Sequence, residues 1–233
     1  MTRYDFTTQP NRLNQNTMKW HEAESDPELL ELWVADMDFL PVPEIRDAVI
    51  NYAETHIFGY PYPSDELYQS IIDWEKNQHG YSVDKASIVL IEGVVPAIST
   101  AIQSFTKEDD AVLINTPVYP SFARSVRLNN RKLIENSLVK VNGHFEIDFE
   151  QLERDIVDND VKLYVFCSPH NPGGRVWTKE ELTMVADLCQ KHGVLLVSDE
   201  IHQDLALYGN KHISLNTISN AYKDFTPISY KHL

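Results

Sequence analysis

The chain has 233 residues, of which 42% are hydrophobic and 24% charged, as is usual for a soluble globular protein. Its formal net charge of −15, from 20 basic and 35 acidic side chains, makes nucleic acid and anionic membranes poor partners. No apolar run reaches the roughly 18–20 residues of a membrane span, and the N-terminus lacks the apolar stretch of a secretory signal.

The N-terminal third of the sequence predicts an irregular segment followed by two helices. The first forty residues show no regular periodicity. A helix is predicted at about Glu44–Thr55, because its apolar residues recur on one stripe. A second is predicted at about Asp65–His79, with Ser64 as its N-cap. The turn-rich stretch 58–63 separates the two helices.

From Gly80 onward, apolar runs alternate with helical stretches. Strands are predicted at Ile88–Ile91, Val112–Ile114, Lys132–Leu138, Leu163–Cys167 and Val194–Val197. Helices are predicted at about Ala97–Phe105, Ser121–Asn129, Asp148–Val157 and Lys179–His192. Continuously apolar strands separated by helices predict an α/β fold whose mostly parallel sheet is covered on both faces. Ligands of such sheets bind outside the carboxyl ends of the strands, so the loops there are the candidate site.

The last predicted helix has clear signals at both ends. Thr178 and Glu181 have the spacing of a capping box, and Gly193 stands where a left-handed C-cap belongs. Cys189 lies within this helix and Cys167 within an apolar run, with no Cys or His spacing that predicts a zinc site. We expect both cysteines to be reduced, buried thiols of a cytoplasmic protein, and we expect no metal site.

Two of the predicted loops can bind a ligand through a backbone turn or an aromatic ring. Gly93 opens the turn before the helix at Ala97, and glycine lets backbone N–H groups approach an anion. The alternative is a glycine that only shapes the turn. Tyr119 follows the next strand, where its ring can stack on a flat heterocycle or simply pack against the protein.

The two later loops carry polar side chains. Asn171 lies between two prolines and is followed by two glycines, which fix the backbone and leave its amide for a ligand. Asp199 follows a buried strand directly, and a carboxylate there is costly unless it meets a positive partner such as a protonated pyridine nitrogen. Its alternative role is a helix N-cap.

These four turns, in this order, resemble the fold-type I enzymes that use pyridoxal 5′-phosphate (PLP), the aspartate aminotransferase superfamily. Five segments are similar to cystathionine β-lyases of the MalY/PatB type, namely 33–39, 58–60, 116–119, 167–172 and 198–202. The similarity extends to about Phe225. The resemblance implies that residues 1–43 form an N-terminal segment that contributes to a small domain. It implies that residues 44–233 form a partial PLP-binding large domain that is incomplete at its C-terminus.

The resemblance also implies roles for individual residues. The cofactor phosphate would be held by the turn formed by Gly93, Val94 and Val95. Tyr119 would stack on the pyridine ring and Asn171 would bond to the ring hydroxyl. Asp199 would pair with the ring nitrogen, with His202 behind that pair.

Two further roles concern assembly and substrate. The resemblance implies a homodimer in which Tyr60 reaches the phosphate bound by the neighbouring subunit. It also implies that Asp36 borders the entrance for a small, sulfur-containing amino-acid substrate.

The end of the sequence departs from the family pattern. Members of the family continue with a strand and a loop whose lysine binds the cofactor covalently. Lys231 stands at about the expected distance from Asp199, but Tyr230 replaces a small residue and Pro227 interrupts the expected strand. Lys231 is therefore only a candidate substitute. An altered reading frame near Thr226 or a deliberate truncation would explain this tail.

The sequence leaves three classes of function open. The first is a PLP-dependent α,β-elimination on a cysteine S-conjugate such as cystathionine, impaired in this chain because the lysine and the substrate-binding arginine of the family are missing. An aminotransferase is the near alternative, since the cofactor half of the site is shared. The others are a non-catalytic remnant that binds PLP weakly or only dimerises, and a regulatory protein descended from the enzyme.

Overall fold

The computed structural model describes residues 4–26, 28–222 and 228–229. The chain divides into two compact units, Met1–Tyr62 and Pro63–Leu233. The candidate lysine, Lys231, lies outside the described residues, as does Pro227. Within the described part of the chain, no helix is long and apolar enough to cross a bilayer.

The first unit contains one long helix, α1 (Pro43–Thr55), and a short 3₁₀ turn at Glu22–Glu24. The prediction of this helix is confirmed. It begins at Pro43 because proline presets the helical φ and its missing N–H would have no intrahelical partner there. No residue of α1 is buried, so its apolar stripe is accessible, with Ile45 60% and Val49 65% exposed.

The second unit begins with helix α2 (Asp65–Trp74), which continues into a π-helical turn at Glu75–His79. Together they cover the predicted helix 65–79. Ser64 caps α2 as predicted, because its side chain accepts a hydrogen bond from the N–H of Leu67 at 3.3 Å. The π turn ends at Gly80 in the left-handed conformation (φ +69°).

A five-stranded parallel sheet organises the second unit. Its strands, in the spatial order β2-β1-β5-β6-β7, are β1 (Ala111–Thr116), β2 (Lys132–Ser137), β5 (Val161–Cys167), β6 (Leu195–Asp199) and β7 (Ile228–Ser229). Every neighbouring pair in this sheet is parallel. The predicted α/β fold with a mostly parallel sheet is therefore confirmed.

Helices cover both faces of the sheet, as predicted. The described residues of this unit form the helices α2, α3 (Val94–Phe105), α4 (Ser121–Leu128), α5 (Phe149–Asp158), α6 (Lys179–His192) and α7 (Leu215–Ile218). One apolar cluster joins α3 and α4 to the sheet, and Ile98 and Phe122 are among its fully buried members. The opposite cluster joins α5, α6 and α7, with Leu152, Leu182 and Leu215 fully buried.

The ends of α6 match the sequence signals. Thr178 and Glu181 form the complete capping box, and Gly193 is left-handed (φ +67°). The Glu181 carboxylate also accepts two hydrogen bonds from Nη2 of Arg175, at 2.7 and 2.8 Å. One carboxylate therefore fixes both the helix start and the arginine that ends the loop after β5.

The predicted strand Ile88–Ile91 is wrong. These residues have no ladder partner among the described residues, and a strand exists only through hydrogen bonds to a neighbour. Val89 is 80% exposed, so the run is not buried on both faces as a central parallel strand would be. The apolar residues of this run do not by themselves show whether a neighbouring strand is present.

The predicted strand Lys132–Leu138 is too long at its C-terminal end. β2 ends at Ser137, and the chain then forms a separate antiparallel hairpin of β3 (Val139–Val141) and β4 (His144–Glu146). Asn142 and Gly143 turn this hairpin with φ +49° and +86°. An Asn-Gly pair between two apolar runs is the usual signal for such a turn, and it was present in the sequence.

Candidate functional site

The candidate site lies along the carboxyl edge of three neighbouring strands. β1, β5 and β6 are adjacent in the sheet, so the loops that follow them lie side by side. The N–H of Tyr119 donates to the carbonyl of Asn171 at 3.1 Å, which joins the first two loops. The N–H of Ser168 donates to the carbonyl of Asp199 at 2.9 Å, which joins the second loop to the third strand. The predicted residues of this edge are therefore brought together.

Asp199 is a buried carboxylate at the last position of β6. It is 4% exposed and lies beside Cys167, its register partner on β5. Its Oδ1 accepts a hydrogen bond from the N–H of Ile201 at 3.0 Å, which is the geometry of an Asx turn. The next helical turn, Gln203–Leu205, begins after His202 and not after Asp199.

The neighbouring thiol is not a nucleophile. Burial, together with the charge of Asp199, raises the pKa of Cys167 to about 12, so the sulfur stays protonated. Burial also raises the pKa of Cys189. Both cysteines are free and buried, which confirms the prediction of two buried thiols.

Tyr119 and Asn171 present the ring and the amide of this edge. Tyr119 is 42% exposed, and its ring meets Phe122 edge to face at a centroid distance of 6.3 Å. Asn171 is partly buried, and its backbone N–H donates to Sγ of Cys167 at 3.4 Å. The backbone of both residues is thus fixed, while the ring of Tyr119 keeps an accessible surface.

The glycine turn before α3 has the backbone of an anion site. Gly93 has φ +133° and ψ 166°, a conformation that residues with a side chain rarely adopt. Helix α3 starts directly after it at Val94, and the first-turn amides of a helix carry partial positive charge. Pro96 has no N–H, so Val94 and Val95 supply the N–H groups of this turn.

His170 has a place in the site that the sequence did not suggest. It is 3% exposed, its ring packs edge to face on Trp177, and its Nδ1 accepts the N–H of Gly173 at 3.2 Å. Burial, with a smaller effect of Arg175, lowers the pKa of His170 to about 4, so the ring is neutral near pH 7. A Cβ at position 173 would lie 2.5 Å from Nδ1 of His170, which explains the glycine there.

A cavity of about 390 Å³ opens beside the loop after β5. Asn171 and His202 line it together with His170, and Leu205 and Tyr208 form part of its apolar wall. Asp199, Tyr119 and the Gly93 turn do not contribute to this lining. His202 and Asn171 thus line the same cavity.

The two site residues that the sequence predicts in the first unit, Asp36 and Tyr60, differ in their contacts and their exposure. Asp36 forms an ion pair with Arg12 through Oδ2 and Nη2 at 2.5 Å. Tyr60 is fully exposed. Their roles at a substrate entrance and at a partner's phosphate site stay predictions, and so does the domain boundary after residue 43.

Asp38 is a more strongly bound carboxylate than Asp36, and the sequence did not single it out. Its oxygens accept bonds from Lys19 at 2.7 Å, Arg12 at 2.7 Å and the indole of Trp20 at 3.0 Å. The bond from Lys19, with help from the other two donors, lowers the pKa of Asp38 to about 2. These donors are 18 to 26 residues away from Asp38 in the sequence, so no local sequence pattern predicts these hydrogen bonds.

The comparison with known families decides the ancestry of the chain. The model of the family described as aminotransferase class I and II matches residues 27–226. The chain belongs to this family. The resemblance to PLP-dependent enzymes of the aspartate aminotransferase fold is therefore confirmed, as is the fold class.

Individual relatives are similar over almost the whole chain. Cystathionine beta-lyase PatB of Bacillus subtilis is 39% identical over 225 residues, which are 95% of this chain and 58% of that protein. The structure of cystalysin from Treponema denticola, which contains a pyridoxal 5′-phosphate cofactor, has a TM-score of 0.92 at 38% identity, with 97% of this chain and 59% of that chain covered.

The structure of a PLP-bound C-S lyase from Staphylococcus hominis has a TM-score of 0.90 at 30% identity, with 97% and 58% covered. The chain thus spans somewhat less than three fifths of the length of the relatives it matches.

Proposed function

We propose that this chain is the cofactor-binding part of a PLP-dependent carbon–sulfur β-lyase that acts on cystathionine or a related cysteine S-conjugate. The observation that carries the proposal is the buried carboxylate of Asp199 at the end of β6, beside the joined loops of Tyr119 and Asn171. A protonated pyridine nitrogen placed against a buried carboxylate would offset part of the cost of its desolvation, and this place at the carboxyl edge of the sheet fits such a ring. The lyase reaction is preferred because the relatives named above are a cystathionine beta-lyase, cystalysin and a C-S lyase.

Four elements of the chain would hold the cofactor. Asp199 would hold a proton at the ring nitrogen, and PLP bound in this way supplies an electron sink for the substrate's Cα–H and C–S bonds. Tyr119 would cover one face of the ring, and the amide of Asn171 would donate to the ring hydroxyl. His202 would support Asp199 from behind.

The glycine turn would hold the phosphate. Backbone N–H groups of Val94 and Val95 point outward from the first turn of α3, where the helix dipole favours an anion. Gly93 makes this possible because its φ of +133° turns the chain sharply into the helix. The binding of the phosphate thus needs no basic side chain from this turn.

The remaining parts of the proposal concern the base, the substrate and the assembly. Lys231 is the candidate substitute for the family's lysine as the base that elimination needs at Cα. Because Tyr230 and Pro227 depart from the family pattern around it, we expect impaired activity. Asp36 would border the entrance for the sulfur-containing amino acid, and Tyr60 would reach the phosphate in a homodimer. We expect the protein in the cytoplasm.

An aminotransferase remains the second candidate. The family description itself, aminotransferase class I and II, favours it. The two functions share the cofactor half of the site and differ in the substrate groups released. Pyruvate and a thiol from L-cystathionine would indicate the lyase, whereas transfer of the amino group to a 2-oxo acid would indicate the aminotransferase.

The cofactor part of the proposal is tested by titrating the purified chain with PLP. We expect Asp199→Asn to weaken binding about 10- to 100-fold, the equivalent of losing one charge-assisted hydrogen bond. Asp158→Asn, on the exposed surface of α5, is the matched control and should bind as the wild type does. Equal affinity of Asp199→Asn and the control would contradict the proposed role of Asp199.

The catalytic part is tested with PLP and L-cystathionine, scored for pyruvate. We expect turnover at least about 10²–10⁴-fold below that of a complete lyase, the usual value of a positioned general base. Turnover well above a PLP-only control that Lys231→Ala abolishes would make Lys231 the catalytic lysine. Turnover that survives this substitution would indicate a contaminating enzyme.

A further inference from the structure

A cluster of buried polar side chains joins the π turn after α2 to the segment after β6. Glu75 is 4% exposed and Gln203 3%, and Nε2 of Gln203 donates to Oε1 of Glu75 at 2.8 Å. The two residues are 128 positions apart in the sequence. Gln203 follows the segment of Asp199 and His202 directly, so this contact anchors the segment to the π turn after α2.

The second polar atom of each partner lacks a hydrogen bond. Oε2 of Glu75 and Oε1 of Gln203 are both buried, and neither has a partner within the part of the chain that the structure describes. Both atoms are acceptors when the carboxyl group is ionised. Two unsatisfied acceptors in the protein interior are costly, and buried polar atoms without a partner are rare in native proteins.

A single proton on the carboxyl group of Glu75 would give both of these atoms a hydrogen-bond partner. A carboxylic acid and a primary amide each carry a donor and an acceptor on neighbouring atoms of one plane, so they can form two parallel hydrogen bonds. We propose that Glu75 is protonated in the folded chain and forms a cyclic acid–amide pair with Gln203. In this pair Gln203 Nε2 donates to Glu75 Oε1, and Glu75 Oε2 donates to Gln203 Oε1.

The charges around Glu75 favour the protonated form. Burial raises the pKa of Glu75, and the carboxylates of Glu200 and Asp204 raise it further, against a lowering by Gln203 and His79. The nearby histidines are hydrogen-bonded to other carboxylates and not to Glu75. His79 bonds to Asp204 at 2.7 Å, and His212 bonds to Glu200 at 2.9 Å.

The basic residue of the neighbouring 3₁₀ turn is also directed elsewhere. Lys85 pairs with Asp65 at the exposed start of α2, and Glu75 forms no salt bridge within the described residues. Among the residues that the structure describes, no cationic side chain therefore forms an ion pair with Glu75, and the charge of His79 acts on it only through space. A buried carboxyl without a cationic partner keeps its proton to a higher pH than an exposed one.

The pair is one hydrogen-bonded contact between the 3₁₀ turn Gln203–Leu205 and the π turn after α2. A second contact is made by Asp204, which accepts bonds from Trp74 Nε1 at 3.1 Å and from His79 Nε2 at 2.7 Å. Ionisation of Glu75 breaks one bond of the first contact and leaves the second intact. A carboxyl whose pKa is raised in the folded state contributes stability below its unfolded pKa, and loses it as pH rises through the folded pKa.

The test compares urea unfolding of the wild type and Glu75→Gln from about pH 5 to about pH 9, without cofactor. The amide of the variant forms both bonds at every pH. We expect the variant to be more stable than the wild type at the alkaline end, with the difference shrinking as pH falls. Parallel profiles, or a variant that is less stable throughout, would overturn the proposal.

Glu153→Gln is the matched control. Bonds from Lys191 and His192 lower the pKa of Glu153, so this substitution should reduce stability above the carboxyl's unfolded pKa and have less effect as pH falls. The opposite signs of the two variants separate the effect of a buried acid from a general effect of removing one negative charge.

Infrared spectroscopy provides a readout that does not depend on unfolding. The wild type should show the carbonyl band of a protonated carboxylic acid at pH values where exposed carboxyls are ionised, and Glu75→Gln should lack it. Gln203→Met should keep the band but shift it, because the acid loses both bonds to the amide. Absence of the band in the wild type refutes the protonated pair, even if Glu75→Gln fails to fold.

Discussion

Replacement of Gly93 by alanine tests the turn that begins α3. Gly93 has φ +133° and ψ 166°, in a region that is essentially closed to residues with a side chain. A Cβ built there would have Pro96 Cδ as its nearest neighbour, at 3.8 Å, which is an ordinary van der Waals contact. The cost of Gly93→Ala is therefore backbone strain rather than a clash, about 1–3 kcal/mol.

This strain has a measurable effect on stability and on ligand binding. For a chain of this size, 1 kcal/mol corresponds to a shift of about 2–4 °C in Tm, so we expect Gly93→Ala to melt about 2–12 °C below the wild type. The alanine can relieve the strain only by turning the backbone away, which redirects the N–H groups of Val94 and Val95. Affinity for inorganic phosphate or PLP should then fall as well.

Two other glycines serve as controls for this substitution. Gly59 has open space around a built Cβ and no positive φ, so Gly59→Ala should leave Tm nearly unchanged. Gly80 has φ +69° at a helix end, and Gly80→Ala should cost about 1–2 kcal/mol without affecting phosphate binding. The reasoning is refuted if Gly93→Ala melts with Gly59→Ala, or if it loses stability while phosphate binding is unchanged.

Three further substitutions test the packing, capping and charge of the fold. Leu152→Ala removes a fully buried side chain and should cost about 2–5 kcal/mol in urea unfolding, whereas Leu128→Ala, at a site 71% exposed, should cost less than about 0.5 kcal/mol. Thr178→Ala removes the capping box of α6 and should cost about 1 kcal/mol, seen as earlier fraying in hydrogen exchange. Asp38→Asn should destabilise the first unit above the ordinary pKa of 3.8, and its difference from wild type should vanish as pH falls through about 2. An Asp38→Asn profile parallel to the wild type would rule out that linkage.

Local signals predicted most of the second unit. The capping box and Gly193 fixed both ends of α6, and Ser64 fixed the start of α2, because each cap is a contact within four residues. The apolar runs of β1, β5 and β6 were recognisable because both faces of these strands are covered. The candidate site followed from the same information, since parallel strands place their carboxyl ends at one edge.

Contacts between distant parts of the sequence could not be predicted in this way. The residues of Ile88–Ile91 are those of a typical strand, but a strand also needs a neighbouring strand to pair with. No residue of the run itself specifies that partner. The bonds of Asp38 to Lys19 and Arg12 and the contact of Glu75 with Gln203 join segments that only the folded chain brings together. The hairpin turn at Asn142 and Gly143 is different, because the Asn-Gly pair between two apolar runs is a local signal that the sequence itself contains.

The backbone hydrogen bond from Tyr119 to Asn171 has a consequence for how tightly a flat ligand can be bound. Because the two loops are joined by their main chains, the backbone positions that carry the ring and the amide have a fixed spacing before any ligand arrives. The entropy of ordering them is then lost during folding and not during association, which favours affinity.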